Sequence, residues 1–466
     1  MIFTQSPKNA LMILIKILGL NSMLFLIICC NSNNDEISYG ESLKPNVIVN
    51  EHYFYDYCND FANINIEKQE IISSFVGEYL RATNLVSKRN DKYLPEISFS
   101  NDEVNIKSIK EFISKEIHKY KKNDTNRLVF ERTLEVIERP TDTKNLFNNH
   151  KIENAESYII KQAKKFHFTS INESHHSGQN RSFTTDLLKP LWEEGYRYLA
   201  MEALSSKDTV LNNVNYPTYK MGTYFKETNL GNMVREALSL GYKLIQYDIV
   251  VNQDLELIQR ENIRDKAQAE NIYLRTLKID TIGKVLIHSG HDHQMEFSLD
   301  DGHEAMGASL KKISNKDILT INQNVMVENN NKENDYYSIA NGIFDIHTPS
   351  VFLNKDDNNK CLVDPVKYIG GIDVQVYHPR TNYIYGRPHW MIKKTKKLYN
   401  LSNNIKKLYK DHLLIVRPIE EKTNSTPIDQ FIIDDAKRLI LPKGKFIINI
   451  IDCNRVLKES IPININ

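Results

Sequence analysis

Between about residues 166 and 324, short apolar runs alternate with stretches whose apolar positions recur every three to four residues. Phe166 to Ile171 predicts a strand, Ser182 to Glu194 a helix closed by Gly195, and Tyr198 to Met201 a second strand. Asn232 to Leu240 predicts a helix ended by Gly241, and Lys243 to Val250 a third strand. Asp254 to Leu277 is helical in pattern, Val285 to Ile287 is strand-like, and Glu304 to Ile313 predicts another helix. Strands that alternate with helices indicate βαβ units and a parallel sheet covered on its faces. Pro190 lies inside its helix and is expected to kink or divide it.

The flanks read differently. Ile71, Ile72, Phe75, Val76, Tyr79 and Leu80, then Ile109, Phe112, Ile113 and Ile117, have helical spacing, with breaks at Leu94-Pro95 and at residues 100–103. Toward the other end Ile372, Val374 and Val376 alternate, and Leu413 to Val416 and Lys445 to Asp452 read as strands. The expected fold class is α/β: a parallel β-sheet flanked by helices, with an N-terminal helical region and a small C-terminal β-rich domain. The expected boundaries are a signal at 1–30, a polar tether at 31–50, helices at 51–164, the α/β unit at 165–330 and the β-rich domain at 331–466.

The segment from Ala10 to Cys30 is almost wholly apolar, and the chain turns polar immediately afterward. That is the build of a secretory signal. Ile27, Cys29 and Cys30 resemble a bacterial lipobox, with an aliphatic residue three before the cysteine and a small one just before it. The expectation is lipidation at Cys30 and a mature protein anchored to the bacterial outer membrane, facing the periplasm or the cell surface. Only Cys58, Cys361 and Cys453 remain, enough for at most one bridge and for no metal knuckle.

Charge narrows the partners. Sixty Lys and Arg stand against 59 Asp and Glu, so nothing favours nucleic acid, and a small-molecule or peptide substrate is expected instead. The candidate chemistry falls at the predicted strand ends. Glu173-Ser174-His175-His176 follows the first strand, Glu202 ends the second, Asp248 lies near the end of the third, and His288-Ser289-Gly290-His291-Asp292-His293 follows the fourth. Ligands of open α/β sheets bind outside the carboxyl ends of the strands. Two mechanisms are available to these residue types. Imidazoles among His175, His176, His291 and His293, with carboxylates, could hold a divalent metal that activates water. Alternatively, a carboxylate acts as general base while a histidine orients water or protonates the leaving group.

The same stretches resemble the erythromycin esterase-like superfamily, whose clan includes the ChaN-type haem-binding lipoproteins and the TraB/TIKI-type proteases. The resemblance rests on Glu173-Ser174-His175-His176, Ala200-Met201-Glu202, Arg264-Asp265-Lys266-Ala267-Gln268-Ala269-Glu270-Asn271 and Gly290-His291-Asp292-His293, in that order over residues 165–325. The chain is similar in particular to uncharacterised lipid-anchored members from Bacteroidetes-type bacteria. The resemblance implies that Glu173, His176, Glu202 and His293 line an active-site cleft, with Arg264 reaching it from a helix. It implies a hydrolase of esters, lactones or amides, or else a lipoprotein that captures haem or iron, with Tyr219 or Tyr224 as further ligands. Asn172 stands where that family has glycine, and Gln268 where it has methionine.

Overall fold

The computed structural model describes residues 37–79, 147–205, 214–297, 303–328, 333–357, 360–363 and 371–466. The expected signal, Cys30, and the helical pattern around Ile109 to Ile117 lie outside the described residues.

The central sheet has six parallel strands: β1 (Phe168–Glu173), β2 (Tyr196–Met201), β3 (Lys243–Gln246), β4 (Lys284–Gly290), β5 (Ile318–Asn322) and β6 (Val374–Gln375). Their order is β6-β5-β1-β4-β2-β3, all parallel. β1 is buried at every position, as a strand covered on both faces must be. Side chains at alternate positions enter two different cores. Ile171, Leu199, Met201 and Leu286 pack under α1 (Gly178–Glu193) and α2 (Thr228–Leu240). Phe168, Tyr198, Ala200, Val285 and Ile287 pack under α3 (Leu257–Arg275) and α4 (Met306–Ser314). The fold class is therefore the one the alternation predicts.

Local chemistry sets the helix ends. α1 begins at Gly178, four residues earlier than its apolar periodicity suggests, because the Ser177 hydroxyl accepts a hydrogen bond from the Asn180 N–H. It runs unbroken through Pro190, which sits in the last turn, so the expected division does not occur. Gly241 ends α2 at φ 97°, a conformation that costs glycine little.

The boundaries need three corrections. Val374, expected in the C-terminal domain, pairs with Ile321 at the edge of the central sheet. His150–Asn154, inside the expected helical region, is a strand paired with Ser350–Asn354, and Asp335–Ile343 is helical. The C-terminal sheet proper is antiparallel, built from β7 (Leu413–Pro418), β8 (Asp429–Ile432), β9 (Gly444–Ile451) and β10 (Val456–Ile465). The expected tether supplies Ile37–Tyr39 and Val47–Ile48 to the edge of β10. Backbone pairing at an exposed edge needs no apolar alternation, which is why a polar segment hid these strands. A disulfide joins Cys58, near the N-terminal helices, to Cys453 in the turn between β9 and β10. The remaining cysteine described, Cys361, is a buried free thiol.

Candidate active site

β4 lies between β1 and β2, so the chain direction across the sheet reverses there and a crevice opens at its carboxyl edge. Strand alternation then sends the two candidate glutamates to opposite layers. Glu173 has the parity of Ile171 and meets α1. Glu202 has the parity of Ala200 and meets α3.

In the first layer, the fully buried Arg181 of α1 grips Glu173 with two hydrogen bonds, from Nε to Oε2 at 2.7 Å and from Nη2 to Oε1 at 2.8 Å. Arg181 Nη1 also reaches Glu227 at 3.3 Å. Glu227 caps α2 through the Asn229 and Leu230 N–H groups and accepts the Tyr79 hydroxyl at 2.6 Å. Burial would raise the Glu173 carboxyl, but Arg181 and the nearby His288 hold it well below the usual range. His175 Nδ1 donates to Glu173 Oε1 at 3.2 Å, which turns the ring's other edge toward Gly290 and Glu202. Tyr224 stacks on His175 at 4.7 Å, and His291 meets it edge-on at 5.1 Å.

In the second layer, Arg264 bonds both oxygens of Asp248 at 2.9 Å and Glu202 Oε1 at 2.6 Å. The Gly290 N–H donates to Glu202 Oε2 at 2.5 Å. Burial works against ionising Glu202, yet His293, His175 and Arg264 bring its pKa down to about 2. His293 Nδ1 lies 2.6 Å from Asp265 Oδ1, and its Nε2 lies 3.6 Å from Glu202 Oε1 and 3.2 Å from Arg264 Nη1. Burial disfavours its imidazolium, but Glu202 and Asp265 push the pKa up to about 9. The other oxygen of Asp265 takes His303 Nε2 at 2.9 Å and the Met306 N–H at 3.1 Å.

Two histidines, each oriented by a buried carboxylate, thus flank the ionised Glu202. Glu202 and Asp265 favour the imidazolium of His293, the form that can give a proton, and the bond to Glu173 leaves Nε2 of His175 on the side of Gly290 and Glu202.

Glu173, Glu202, Arg264 and His293 lie in one connected cluster. His176 occupies the same half-buried turn as His175, and it is His175 that bonds Glu173. Tyr219 accepts a hydrogen bond from Arg417, whereas Tyr224 stacks on His175. Asn172 has a structural use. Its amide donates to the His291 carbonyl and accepts the Gln323 N–H, tying the β4 loop to β1 and to the turn after β5.

Both glutamates are already bound by guanidinium groups, while His175 and His293 turn Nδ1 to carboxylates and leave Nε2 for another partner. Among the described residues no three His, Cys, Asp or Glu side chains are arranged to hold a metal.

Sequence reasoning missed Arg181, Glu227 and His303. Consecutive helical residues point about 100° apart, so Asp265 faces His293 while Arg264 faces Glu202.

No family model matches the chain, and no curated protein matches it. Among solved structures it is similar to the type III effector HopBA1, at 13% identity and a TM-score of 0.30, covering 41% of this chain and 95% of that one. It is also similar to a bacterial protein toxin, at 14% identity and a TM-score of 0.28, over 58% of this chain and 67% of that one. A third is RRSP, a MARTX toxin effector domain from Vibrio vulnificus CMCP6, at 14% identity and a TM-score of 0.26, over 60% and 64%. Likenesses this distant decide nothing about the chemistry of the site.

Proposed function

We propose that the chain is a hydrolase of the erythromycin esterase-like clan, cleaving an ester, lactone or amide with water activated at the carboxyl edge of β1, β4 and β2. One observation carries the reading: His175 on Glu173 and His293 on Asp265 face the same ionised Glu202. Water held between His175 Nε2 and Glu202 loses its proton to the imidazole as it adds to the carbonyl carbon. The tetrahedral adduct then collapses, and His293 gives its Nε2 proton to the departing oxygen or nitrogen. Arg264 and Arg181 hold the carboxylates in place.

The test is turnover of a panel of aryl esters, lactones and anilides by the parent and by Glu202→Gln, His175→Ala and His293→Ala. Each variant is expected to lose about 10²-fold or more in kcat on the substrate that the parent cleaves. Parent-like turnover by all three would sink the assignment.

The Cys58–Cys453 bridge supports an oxidising compartment. With the lipobox at Cys30 it is in keeping with a membrane-anchored protein outside the cytoplasm. Incorporation of a labelled fatty acid that survives Cys30→Ala would refute the anchor.

A further inference from the structure

The short helix Thr223–Lys226 faces two ways. Its Tyr224 stacks on His175, while Thr223 and Lys226 line a separate cavity of about 450 Å3 against the N-terminal helices His52–Tyr55 and Ile66–Phe75. The volume is in the range of small-molecule sites. Ile71, Ile72 and Phe75 form an apolar wall. The charged lining is Asp56, Lys68 and Lys226, and Lys68 Nζ lies 3.0 Å from Asp56. That pair cancels, leaving one positive charge. Lys226 Nζ stands 5.8 Å over the Phe75 ring, and among the described residues no carboxylate lies within ion-pairing distance of it. Burial disfavours its ammonium, with Asp56 acting the other way and Lys68 reinforcing the effect.

A half-buried ammonium beside an apolar wall is costly without an anionic partner. A cation would meet the same charge, and a wholly apolar ligand would desolvate it further. We propose that this cavity binds a small amphipathic anion, its carboxylate on Lys226 and its apolar body against Ile71, Ile72 and Phe75. The site is separate from the catalytic cleft, and its test does not read activity.

Calorimetric titration of the full chain with octanoate, octylamine and inorganic phosphate tests the proposal. Octanoate is expected to saturate one site, with octylamine and phosphate weaker by about tenfold or more. Lys226→Met should weaken octanoate by about tenfold or more, the loss of one charge-assisted contact, while Lys226→Arg retains it. Circular dichroism would show that both variants fold. No octanoate binding to the folded parent, octylamine or phosphate binding as tightly as octanoate, or parent-like affinity in Lys226→Met would each overturn the proposal.

Discussion

Gly290→Ala isolates the placement of His175. Gly290 ends β4 outside the left-handed region, so alanine introduces no backbone strain there. The obstacle is space. A Cβ on Gly290 would fall 2.4 Å from His175 Cε1, 2.8 Å from its Nε2 and 3.1 Å from Glu202 Oε2. Ordinary carbon contacts begin near 3.5 Å, so the ring would retreat by about 1 Å. The retreat is resisted by Tyr224 stacked on the ring and by the 3.2 Å hydrogen bond to Glu173. Overpacking of this kind costs about 1–3 kcal/mol, and a displacement of about 1 Å at a reacting group costs roughly 10²-fold in rate. Denaturant unfolding reads the first and kcat on the cleaved substrate reads the second. The decisive comparison is made in a His175→Ala background. If the alanine acts through His175, it should cost almost nothing more once the ring is gone. An equal loss in both backgrounds, or parent-like activity in the single variant, would refute the reasoning.

Asp265→Asn removes the anion that orients His293 and should lower kcat by roughly 10²-fold or more while moving the alkaline limb of the pH profile to lower pH; an unmoved limb would count against His293 as the acid. In stability, the raised His293 pKa contributes fully below the ordinary histidine value and is lost as pH rises through about 9, while the lowered Glu202 pKa contributes above the ordinary carboxylate value and is lost as pH falls toward about 2. Unfolding free energy measured from pH 3 to 10 should therefore peak between those limits, less steeply on the alkaline side in His293→Ala. Arg181→Met leaves Glu173 and Glu227 buried without their cation and should destabilise the fold by about 3–5 kcal/mol, read by urea unfolding. Replacing both Cys58 and Cys453 by serine should cost about 2–4 kcal/mol, with reductant lowering the Tm of the parent but not of the variant.

The central fold was legible because its strands are short, apolar and punctuated by glycine at helix ends, as at Gly195 and Gly241. What escaped was pairing that leaves no hydrophobic signature. Ile37–Tyr39 and Val47–Ile48 are edge strands among exposed residues, and Val374 alternates in the same way whichever sheet it joins. The site divides similarly. Glu173 and Glu202 stand out because each ends an apolar strand, where a carboxylate must be compensated. Their compensating cations carry no such mark. Arg181 lies eight residues after Glu173 in a helix whose pattern gives no hint that an arginine is buried.

The parity of the strands explains why two similar glutamates have different uses. A one-residue difference in phase sends Glu173 to the α1 layer, where both its oxygens are taken by Arg181 and its remaining influence passes through His175. Glu202 turns to the α3 layer, where it stays at the cleft with His293 and the Gly290 N–H beside it. Glu173→Gln should therefore resemble His175→Ala in its pH profile, since it acts by releasing that ring. Glu202→Gln should lower kcat and move the alkaline limb to lower pH, because Glu202 is the main charge that raises the His293 pKa. If the two glutamine variants had superimposable profiles, the division of labour between the layers would be wrong.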